Sequence, residues 1–239
     1  MCFSCQQPSQ SNTTQVISPA EATELQKRKD SIELAFEREV FKKQKIKEAE
    51  KKAKTPDFDT TVWTELIRAD KDYILDIRYA TENNFVEEQL YDCPRCFLRP
   101  DAAAALQKAH DFFKTENLRI KLLDCYRPRP IQQKLWDKVP NASYVTPPSR
   151  GSMHNRGLAI DLTLVNEAGK QLDMGTPYDF FGQEAHHTYT KHSEEVKANR
   201  KLLKSTMEKF GFRSIRTEWW HYNYGSKQFK IDDMEWKCH

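Results

Sequence analysis

Residues 158–165 read Leu-Ala-Ile-Asp-Leu-Thr-Leu-Val, a run in which every position except Asp161 and Thr163 is apolar. The pair Ala168-Gly169 follows and suits a turn, so the run predicts a buried strand that ends before it. A carboxylate within such a strand must be paired or bound to a metal ion, because burying it alone costs several kcal/mol. This stretch therefore predicts both a central strand and a functional acid, Asp161.

The segments around this strand predict helices and strands in no regular alternation. Helix-start residues followed by apolar residues at helical spacing predict three helices, which begin after Arg99, at Pro130 and after the capping residue Ser193. Runs of alternating or continuous apolar residues predict three more strands, at 73–79, 118–125 and 214–224. This mixture favours an α+β fold, a single catalytic domain with a central, mainly antiparallel sheet flanked by helices.

The composition of the 239 residues excludes several classes of protein. A net charge of +3, from 38 basic and 35 acidic residues, gives no strong field for nucleic acid, so no nucleic-acid partner is expected. No apolar run is long enough to span a membrane, and the aromatic content of 11% supports a packed core rather than a wholly disordered chain. Six cysteines are too few for a scaffold built on disulfides.

The first 55 residues differ in composition from the rest. Residues 6–17 are rich in Gln, Ser, Thr and Asn, which predicts disorder. Ser18 and Pro19 suit the cap and first position of a helix, and residues 21–54 mix acids and bases around a narrow apolar stripe. We interpret this helix as a charged spacer rather than a partner-binding or membrane-surface helix, because its charges do not segregate. The sequence thus predicts a tail and spacer in 1–55 and a catalytic domain in 56–239, with no protein partner.

The stretch Phe3-Ser4-Cys5, followed by polar residues, resembles the end of a bacterial lipoprotein signal, in which the cysteine is acylated. On this interpretation the protein belongs to the bacterial cell envelope or periplasm and is attached to the membrane through a lipidated Cys5. The alternative is a short disordered tail on a cytoplasmic protein, and the residues alone leave both open.

Two histidines join Asp161 in a set typical of catalytic metal sites. His154 lies on the Gly-flanked approach to the strand, and His221 lies in the later run Thr-Glu-Trp-Trp-His-Tyr at 217–222. Three protein ligands leave a fourth coordination position open, which is the pattern of catalytic rather than structural zinc. A hydrogen-bonded His–Asp pair and a core strand with a satisfied histidine are the plainer alternatives.

Glu218 supplies a spare carboxylate beside these ligands and is the candidate general base. Residues three apart in a regular strand point to opposite faces, so Glu218 and His221 need a bulge or a strand end between them. Arg127 follows an apolar strand, where its guanidinium suits a carboxylate or a developing oxyanion. A surface ion pair is the plainer interpretation of that arginine.

Three motifs, taken together and in order, resemble one family. Asp-x-Tyr-Arg-Pro at 124–128, Ser-x-His-x-x-Gly-x-Ala-x-Asp at 152–161 and Glu-Trp-Trp-His at 218–221 are similar to the D-alanyl-D-alanine dipeptidases, zinc enzymes related to the vancomycin-resistance dipeptidase. The stretches 77–85 and 173–180 extend the resemblance.

The resemblance implies an α+β fold whose antiparallel sheet carries the site. It implies hydrolysis of the small dipeptide D-Ala-D-Ala to two D-alanines, with one Zn²⁺ per chain. The roles it implies are zinc ligands (His154, Asp161, His221), general base (Glu218), stabilisation of the tetrahedral intermediate (Arg127), contact with the substrate's amino group (Ser152, Asp179) and lining of the pocket (Tyr79).

Two rival functions remain open at this level. One is a D,D- or L,D-carboxypeptidase of the same superfamily, acting on peptidoglycan stem peptides. The other is a metal-stabilised protein that binds cell-wall peptides without cleaving them. The presence of Glu218 and Arg127 argues against the second rival, since binding alone needs no base.

The remaining cysteines and histidines are expected to be structural. Cys93 and Cys96 have no second pair at metal spacing, so we interpret their segment as a structural loop, disulfide-linked if the protein is exported, rather than a redox pair or half a metal site. His186 and His187 are candidates for contacting the site from outside the set of metal ligands, although structural roles are expected for most of these histidines. The other histidines expected to pack or face solvent are His110, His192 and His239.

Overall fold

The computed structural model describes residues 18–54, 56–142, 144–225 and 229–238, and divides the chain into the units Met1–Thr55 and Pro56–His239. In the first unit Pro19–Lys54 form helix α1, whose described side chains are exposed. The predicted tail at 6–17 and Cys5 lie outside the described residues. Neither α1 nor any other helix in the described part of the chain is long and apolar enough to cross a membrane.

Helices and strands of the second unit follow one another in the irregular order that the sequence predicts. In chain order they are β1 (Thr64–Glu65), α2 (Leu66–Ala69), β2 (Ile74–Leu75), β3 (Phe97–Leu98), α3 (Pro100–Thr115), β4 (Leu118–Asp124), α4 (Arg129–Lys138), β5 (Ala159–Asn166), α5 (Glu194–Lys209), β6 (Phe212–Ile215) and β7 (Glu218–Tyr224).

Five of these strands form the central sheet, in the order β2-β4-β5-β7-β6. The pairs β4–β5, β5–β7 and β7–β6 are antiparallel, and the edge strand β2 runs parallel to β4. Strands β1 and β3 form a separate antiparallel pair. The predicted α+β fold with a mainly antiparallel sheet is confirmed.

Strand β5 lies in the middle of the sheet because both of its faces are apolar. Every residue of β5 except Asn166 is buried. Helices α3 and α5 contact each other and pack on strands of the sheet, and burial of each large apolar side chain contributes roughly 1.5–3 kcal/mol. Fully buried side chains from the two helices include Leu106, Phe113, Leu203 and Met207.

The predicted strand at 73–79 is wrong over most of its length. Only β2 pairs with β4, and Arg78–Ala80 form a 3-10 turn. The apolar residues at alternating positions have another cause. This irregular segment packs its large apolar side chains against the core without pairing as a strand. Those buried side chains are Tyr73, Ile77 and Tyr79.

The predicted final strand at 214–224 is in fact the end of β6 and the whole of β7, with a turn at Arg216 and Thr217 between them. The turn carries neither Gly nor Pro, so the aromatic-rich run concealed it. Adjacent residues of β6 pair with residues four apart on β7, since Ser214 pairs with Tyr222 while Ile215 pairs with Glu218. This bulge at the start of β7 bears directly on the site.

Candidate active site

One cavity of about 330 Å³ brings together all eight residues that the sequence analysis singled out. It opens where β4 ends, β5 begins and β7 begins, because the antiparallel register places those three ends together. Residues far apart in the chain therefore meet there. They are Tyr79, Arg127, Ser152, His154, Asp161, Asp179, Glu218 and His221.

Backbone geometry positions the three predicted metal ligands. Asp161 on β5 pairs directly with His221 on β7, so both side chains emerge at the same point of the sheet. His154 begins a 3-10 turn that ends at Gly157, whose φ is +69°. A Cβ atom at Gly157 would lie 2.4 Å from the Trp63 ring. Only glycine combines this left-handed conformation with so close an approach.

Hydrogen bonds orient both imidazole rings toward the carboxylate. His154 Nδ1 donates to the backbone oxygen of Cys125 at 2.7 Å, and His221 Nε2 donates to Asn223 Oδ1 at 3.0 Å. The other two ring nitrogens, His154 Nε2 and His221 Nδ1, lie 3.1 Å apart. They lie 3.4 Å and 2.9 Å from Asp161 Oδ1. Three electron-pair donors thus converge within 4.8 Å of one another.

Such a convergence of donors is stable only around a positive charge. Burial lowers the pKa of His221, but its hydrogen bond with Asp161 and the charge of that carboxylate outweigh burial and raise the pKa to about 9. Burial raises the pKa of Asp161, but the charges and hydrogen bonds of His154 and His221 hold it below its usual range. A proton on His221 or a metal ion satisfies the same need. Two imidazoles and one carboxylate, each ring held from behind by an oxygen acceptor, fit Zn²⁺.

Glu218 lies beside this donor set without belonging to it. Its Oε2 atom is 3.9 Å from His221 Nδ1, so both side chains face the cavity although they are three residues apart on β7. The bulge required for this arrangement is present between the Ser214 and Ile215 pairings. Burial raises the pKa of Glu218 above its usual range. The site therefore offers a carboxyl group suited to exchanging a proton nearer neutral pH.

Arg127 is buried rather than engaged in a surface ion pair. Its Nε and Nη2 atoms donate to Asp124 Oδ2 at 3.0 Å and 2.6 Å, and Nη1 donates to Gln132 Oε1 at 3.1 Å. The guanidinium also lies over the Tyr79 ring, 5.0 Å from its centre. Burial lowers the pKa of Arg127, but the charge of Asp124 outweighs it, so the arginine remains a fixed cation at the cavity wall.

Asp179 is a half-buried carboxyl that also lines the cavity. The Tyr79 hydroxyl donates to Asp179 Oδ2 at 3.0 Å. Burial, followed by the negative charge of Asp161, raises the pKa of Asp179 well above its usual range. Ser152 is half-buried, and its hydroxyl donates to Asn155 Oδ1 at 3.0 Å. An ammonium group that enters the cavity would pair with Asp179 and favour the charged form of its carboxyl group.

Sequence reasoning missed the residues that hold these groups in place. Asp124 fixes Arg127 and also accepts from the Tyr91 hydroxyl at 2.9 Å. The Tyr178 hydroxyl donates to the outer oxygen of Asp161, Oδ2, at 3.0 Å. Asp124 ends an apolar strand, so the buried-carboxylate reasoning applied to Asp161 would have found it. Tyr178 itself carries no comparable signal, because its contact with Asp161 depends on the path of a loop.

The remaining cysteines form two disulfides, Cys93–Cys238 and Cys96–Cys125. Cys93 and Cys96 therefore pair with distant partners rather than with each other. The second disulfide is buried, and its Cys125 carbonyl is the acceptor for His154. These cysteines tie the loop before α3 to β4 and to the C-terminal segment.

The other described histidines lie in the core or line other cavities. His110 is fully buried and stacks on Tyr73, with ring centres 4.1 Å apart. His186 lines a small cavity that shares Glu218 with the main one, while His187 and His192 line a separate cavity. His239 lies outside the described residues.

Comparisons with known proteins agree with the geometry. The sequence profile of peptidase family M15, described as D-ala-D-ala dipeptidase, matches residues 60–238. A D-alanyl-D-alanine dipeptidase of Escherichia coli (strain K12) is 36% identical over 164 residues, which cover 69% of this chain and 85% of that protein. A dipeptidase of the same name from Enterococcus faecalis (strain ATCC 700802 / V583) is 30% identical over 168 residues, covering 62% of this chain and 83% of that protein.

Among solved structures, one similar chain is the vancomycin resistance D,D-dipeptidase VanXYg in complex with a D-Ala-D-Ala phosphinate analog. It is 18% identical with a TM-score of 0.35, and the match covers 70% of this chain and 68% of that chain.

Proposed function

The chain belongs to the D-Ala-D-Ala dipeptidase family of metallopeptidases, as its motifs predicted, and from this premise we propose that it hydrolyses free D-Ala-D-Ala to two D-alanines with one zinc ion. One observation carries the proposal. The same cavity of about 330 Å³ is lined by the three-donor set, the Glu218 carboxyl, the Arg127 guanidinium and the half-buried Asp179. Each of these groups has a distinct task in amide hydrolysis.

His154, Asp161 and His221 would hold the zinc ion, since their three donor atoms converge and their rings are oriented from behind. When bound there, zinc supplies Lewis-acid polarisation of a carbonyl and lowers the pKa of water to about 7. Tyr178 keeps Asp161 in place by donating to its outer oxygen. The protein's own contribution at this point is to fix the ligands before substrate arrives.

Glu218 acts as the general base and then as the general acid. Its carboxylate takes a proton from the attacking water and returns it to the leaving amino group, both at the Oε2 side that faces the cavity. The raised pKa brings this carboxyl closer to neutrality, where a group can both accept and release a proton.

Arg127 stabilises the negative charge that develops on the carbonyl oxygen. Asp124 and Gln132 hold the guanidinium in one orientation, so little reorganisation is needed when the charge forms. The face of the Tyr79 ring packs against the same guanidinium. The hydroxyl of Tyr79 donates a hydrogen bond to Asp179. One tyrosine thus links the oxyanion side of the cavity to the amino side.

Asp179 and Ser152 receive the ammonium of the free dipeptide. Desolvation in the cavity raises the pKa of the Asp179 carboxyl, so a cation brought by the substrate would favour its charged form. An acylated or extended amino end has no such charge and would leave the carboxyl desolvated. The cavity therefore favours free dipeptides over stem peptides.

A single assay tests this function against the carboxypeptidase rival. Purified protein is given D-Ala-D-Ala or N-acetyl-D-Ala-D-Ala, with and without a chelator, and released D-alanine is measured. The proposal expects cleavage of the free dipeptide, loss with chelator and recovery on adding zinc. Equal cleavage of the acetylated substrate would favour the carboxypeptidase, and binding without cleavage would favour a peptide-binding protein.

We further propose that residues 56–239 carry the whole activity and that the protein works in the cell envelope. The disulfides Cys93–Cys238 and Cys96–Cys125 support an oxidising compartment, because disulfides are rare in reducing cytosol. Attachment through a lipidated Cys5 remains a prediction. A variant lacking residues 1–55 should match the full chain in kcat/KM on soluble dipeptide, and an inactive truncated protein would refute the proposed boundary.

A further inference from the structure

The loop at 174–186 carries Tyr178 and Asp179, and it has to be held in place for these residues to meet Asp161 and Tyr79. In the middle of this loop, Asp179 lines the cavity and accepts from the Tyr79 hydroxyl, and the Tyr178 hydroxyl donates to Asp161. Asp179 has a φ of +58°, a left-handed conformation that is uncommon for residues other than glycine but that aspartate tolerates better than most. Contacts from other elements therefore have to hold the loop in this conformation.

Arg200 on α5 joins both ends of the loop. Its Nε donates to the Met174 oxygen at 2.7 Å, at the start of the loop. Its Nη1 donates to the His186 oxygen at 3.2 Å and its Nη2 to the Glu184 oxygen at 2.9 Å, at the end of the loop. One rigid guanidinium thus closes the loop at its base, which removes the freedom that the two ends would otherwise have.

The chemistry of Arg200 indicates a geometric role rather than a charge pair. The side chain is buried, and all three hydrogen bonds go to backbone carbonyls rather than to carboxylates. Burial lowers its pKa to about 10. A buried cation is costly to keep, and a lysine, with a point-like ammonium, does not reproduce the planar fork that reaches three acceptors.

Neighbouring contacts tie the same loop to the strand that carries the base. Trp219, next to Glu218, donates through its indole Nε1 to Thr176 Oγ1 at 2.8 Å. Gly175 has a φ of +79°, and a Cβ there would lie 2.6 Å from the His192 ring. The stretch Asp-Met-Gly-Thr at 173–176 therefore brings the Met174 oxygen to Arg200 and the Thr176 hydroxyl to Trp219.

We propose that Arg200 is a positioning residue that fixes the 174–186 loop and so sets the place of Asp179 for the ammonium of the substrate. This inference rests on the proposed dipeptidase function for its kinetic part. Its structural part, the ordering of the loop, stands independently of the reaction. Because an ammonium contact exists in both ground state and transition state, displacement of Asp179 raises KM more than it lowers kcat.

The test compares R200A and R200K with K201A as the matched control. Lys201 is the next residue of α5, exposed at the same small cavity of about 310 Å³ that Arg200 lines. We expect both Arg200 variants to raise KM for D-Ala-D-Ala by about tenfold to hundredfold, because a displaced Asp179 loses part of its charge pairing with the substrate ammonium. Zinc content should stay at the wild-type level, and K201A should behave as wild type.

Two further measurements separate positioning from general damage. Amide hydrogen exchange should increase within 174–186 in R200A and stay unchanged in β5. Millimolar guanidinium chloride, which can enter the solvent-connected cavity, should lower the KM of R200A but not that of wild type or D179N.

Unchanged exchange in the loop would overturn the proposal whatever the activity. Faster exchange with an unchanged KM would overturn the link to Asp179. If R200A fails to fold, the same exchange and KM criteria apply to R200K, which keeps the charge. Absence of dipeptide hydrolysis by the wild-type protein would instead refute the proposed function and leave the loop result interpretable.

Discussion

Glu218 Oε2 lies 3.9 Å from His221 Nδ1, although the two residues are three apart on one strand and a regular strand would turn them to opposite faces. The bulge opposite Ser214 and Ile215 accounts for this, because it adds residues to β7 without lengthening β6. The proposed zinc ligand His221 and the proposed base Glu218 therefore line the same cavity but have different proposed roles. That separation is the basis of the first two predictions.

The donor set predicts that H154A loses zinc. The histidine contributes one of three donor atoms within 4.8 Å, and two donors rarely hold the ion against competing chelators. Metal content after dialysis, measured by atomic emission, should fall from one zinc per chain to near zero. Wild-type zinc occupancy in H154A would remove this residue from the ligand set, and H192A serves as a histidine control outside the cavity.

The complementary prediction concerns E218Q, which keeps the shape of the side chain but removes the base. Since Glu218 lies outside the three-donor set, zinc content should be that of the wild type. General-base catalysis contributes about 10²–10⁴-fold, so kcat should fall by at least about 10². A kcat near the wild-type value would place the base elsewhere in the cavity.

The role proposed for Asp179 predicts a change of substrate specificity rather than a simple loss of activity. D179N removes the charge that we assign to the substrate ammonium, and breaking such a buried pair costs about 2–5 kcal/mol. Activity on D-Ala-D-Ala should fall strongly, while the much lower activity on N-acetyl-D-Ala-D-Ala should change little. The ratio of the two kcat/KM values is the decisive quantity, and an unchanged ratio would contradict the assignment.

The exposed disulfide predicts a redox-dependent stability. Cys93–Cys238 joins residues 145 apart and anchors the segment 229–238, which donates from the Asp232 amide to the Asn155 oxygen beside His154. The double variant C93S/C238S should lose about 2–4 kcal/mol in free energy of unfolding, the usual contribution of a native disulfide.

Thermal unfolding with and without dithiothreitol provides the measurement for this disulfide. The wild type should lose stability with the reductant, while the double variant should lose less because one reducible bond is already gone. Equal melting temperatures for wild type and variant without reductant would show that the segment is held by its side-chain contacts alone.

His110 predicts a loss of stability in mild acid. Burial lowers its pKa from 6.5 to about 4, and neither ring nitrogen has a hydrogen-bond partner among the described residues. Between those values the unfolded chain binds the proton and the folded chain does not. This contribution to the free energy of unfolding is therefore fully present above about pH 6.5 and is lost progressively as the pH falls toward 4.

Comparison with H110F isolates this histidine from the other titratable groups, which are the same in both proteins. Phenylalanine keeps the ring stacked on Tyr73 but binds no proton. Urea unfolding at pH 7 and pH 4.5 should show a smaller acid-induced loss for H110F than for the wild type. Parallel losses would mean that other groups determine the acid sensitivity.

Much of this arrangement was readable in the sequence because it depends on local pattern. The apolar run at 158–165 determined the central strand, and the buried carboxylate within it pointed to Asp161. Ser193 and Pro100 marked helix starts that the structure confirms. The motifs around His154, Glu218 and Arg127 indicated the family because their residue types and spacings can be read along single segments of chain.

Only the tertiary structure decided which distant groups meet. The turn between β6 and β7 and the short edge strand β2 depend on sheet register, and a run of aromatic residues does not encode that register. Asp124 behind Arg127, Tyr178 behind Asp161 and Arg200 beneath the 174–186 loop are contacts between segments that approach only once the core has packed. Sequence pattern reports what one segment prefers, whereas side-chain partnership across segments is set by the shared burial of all of them.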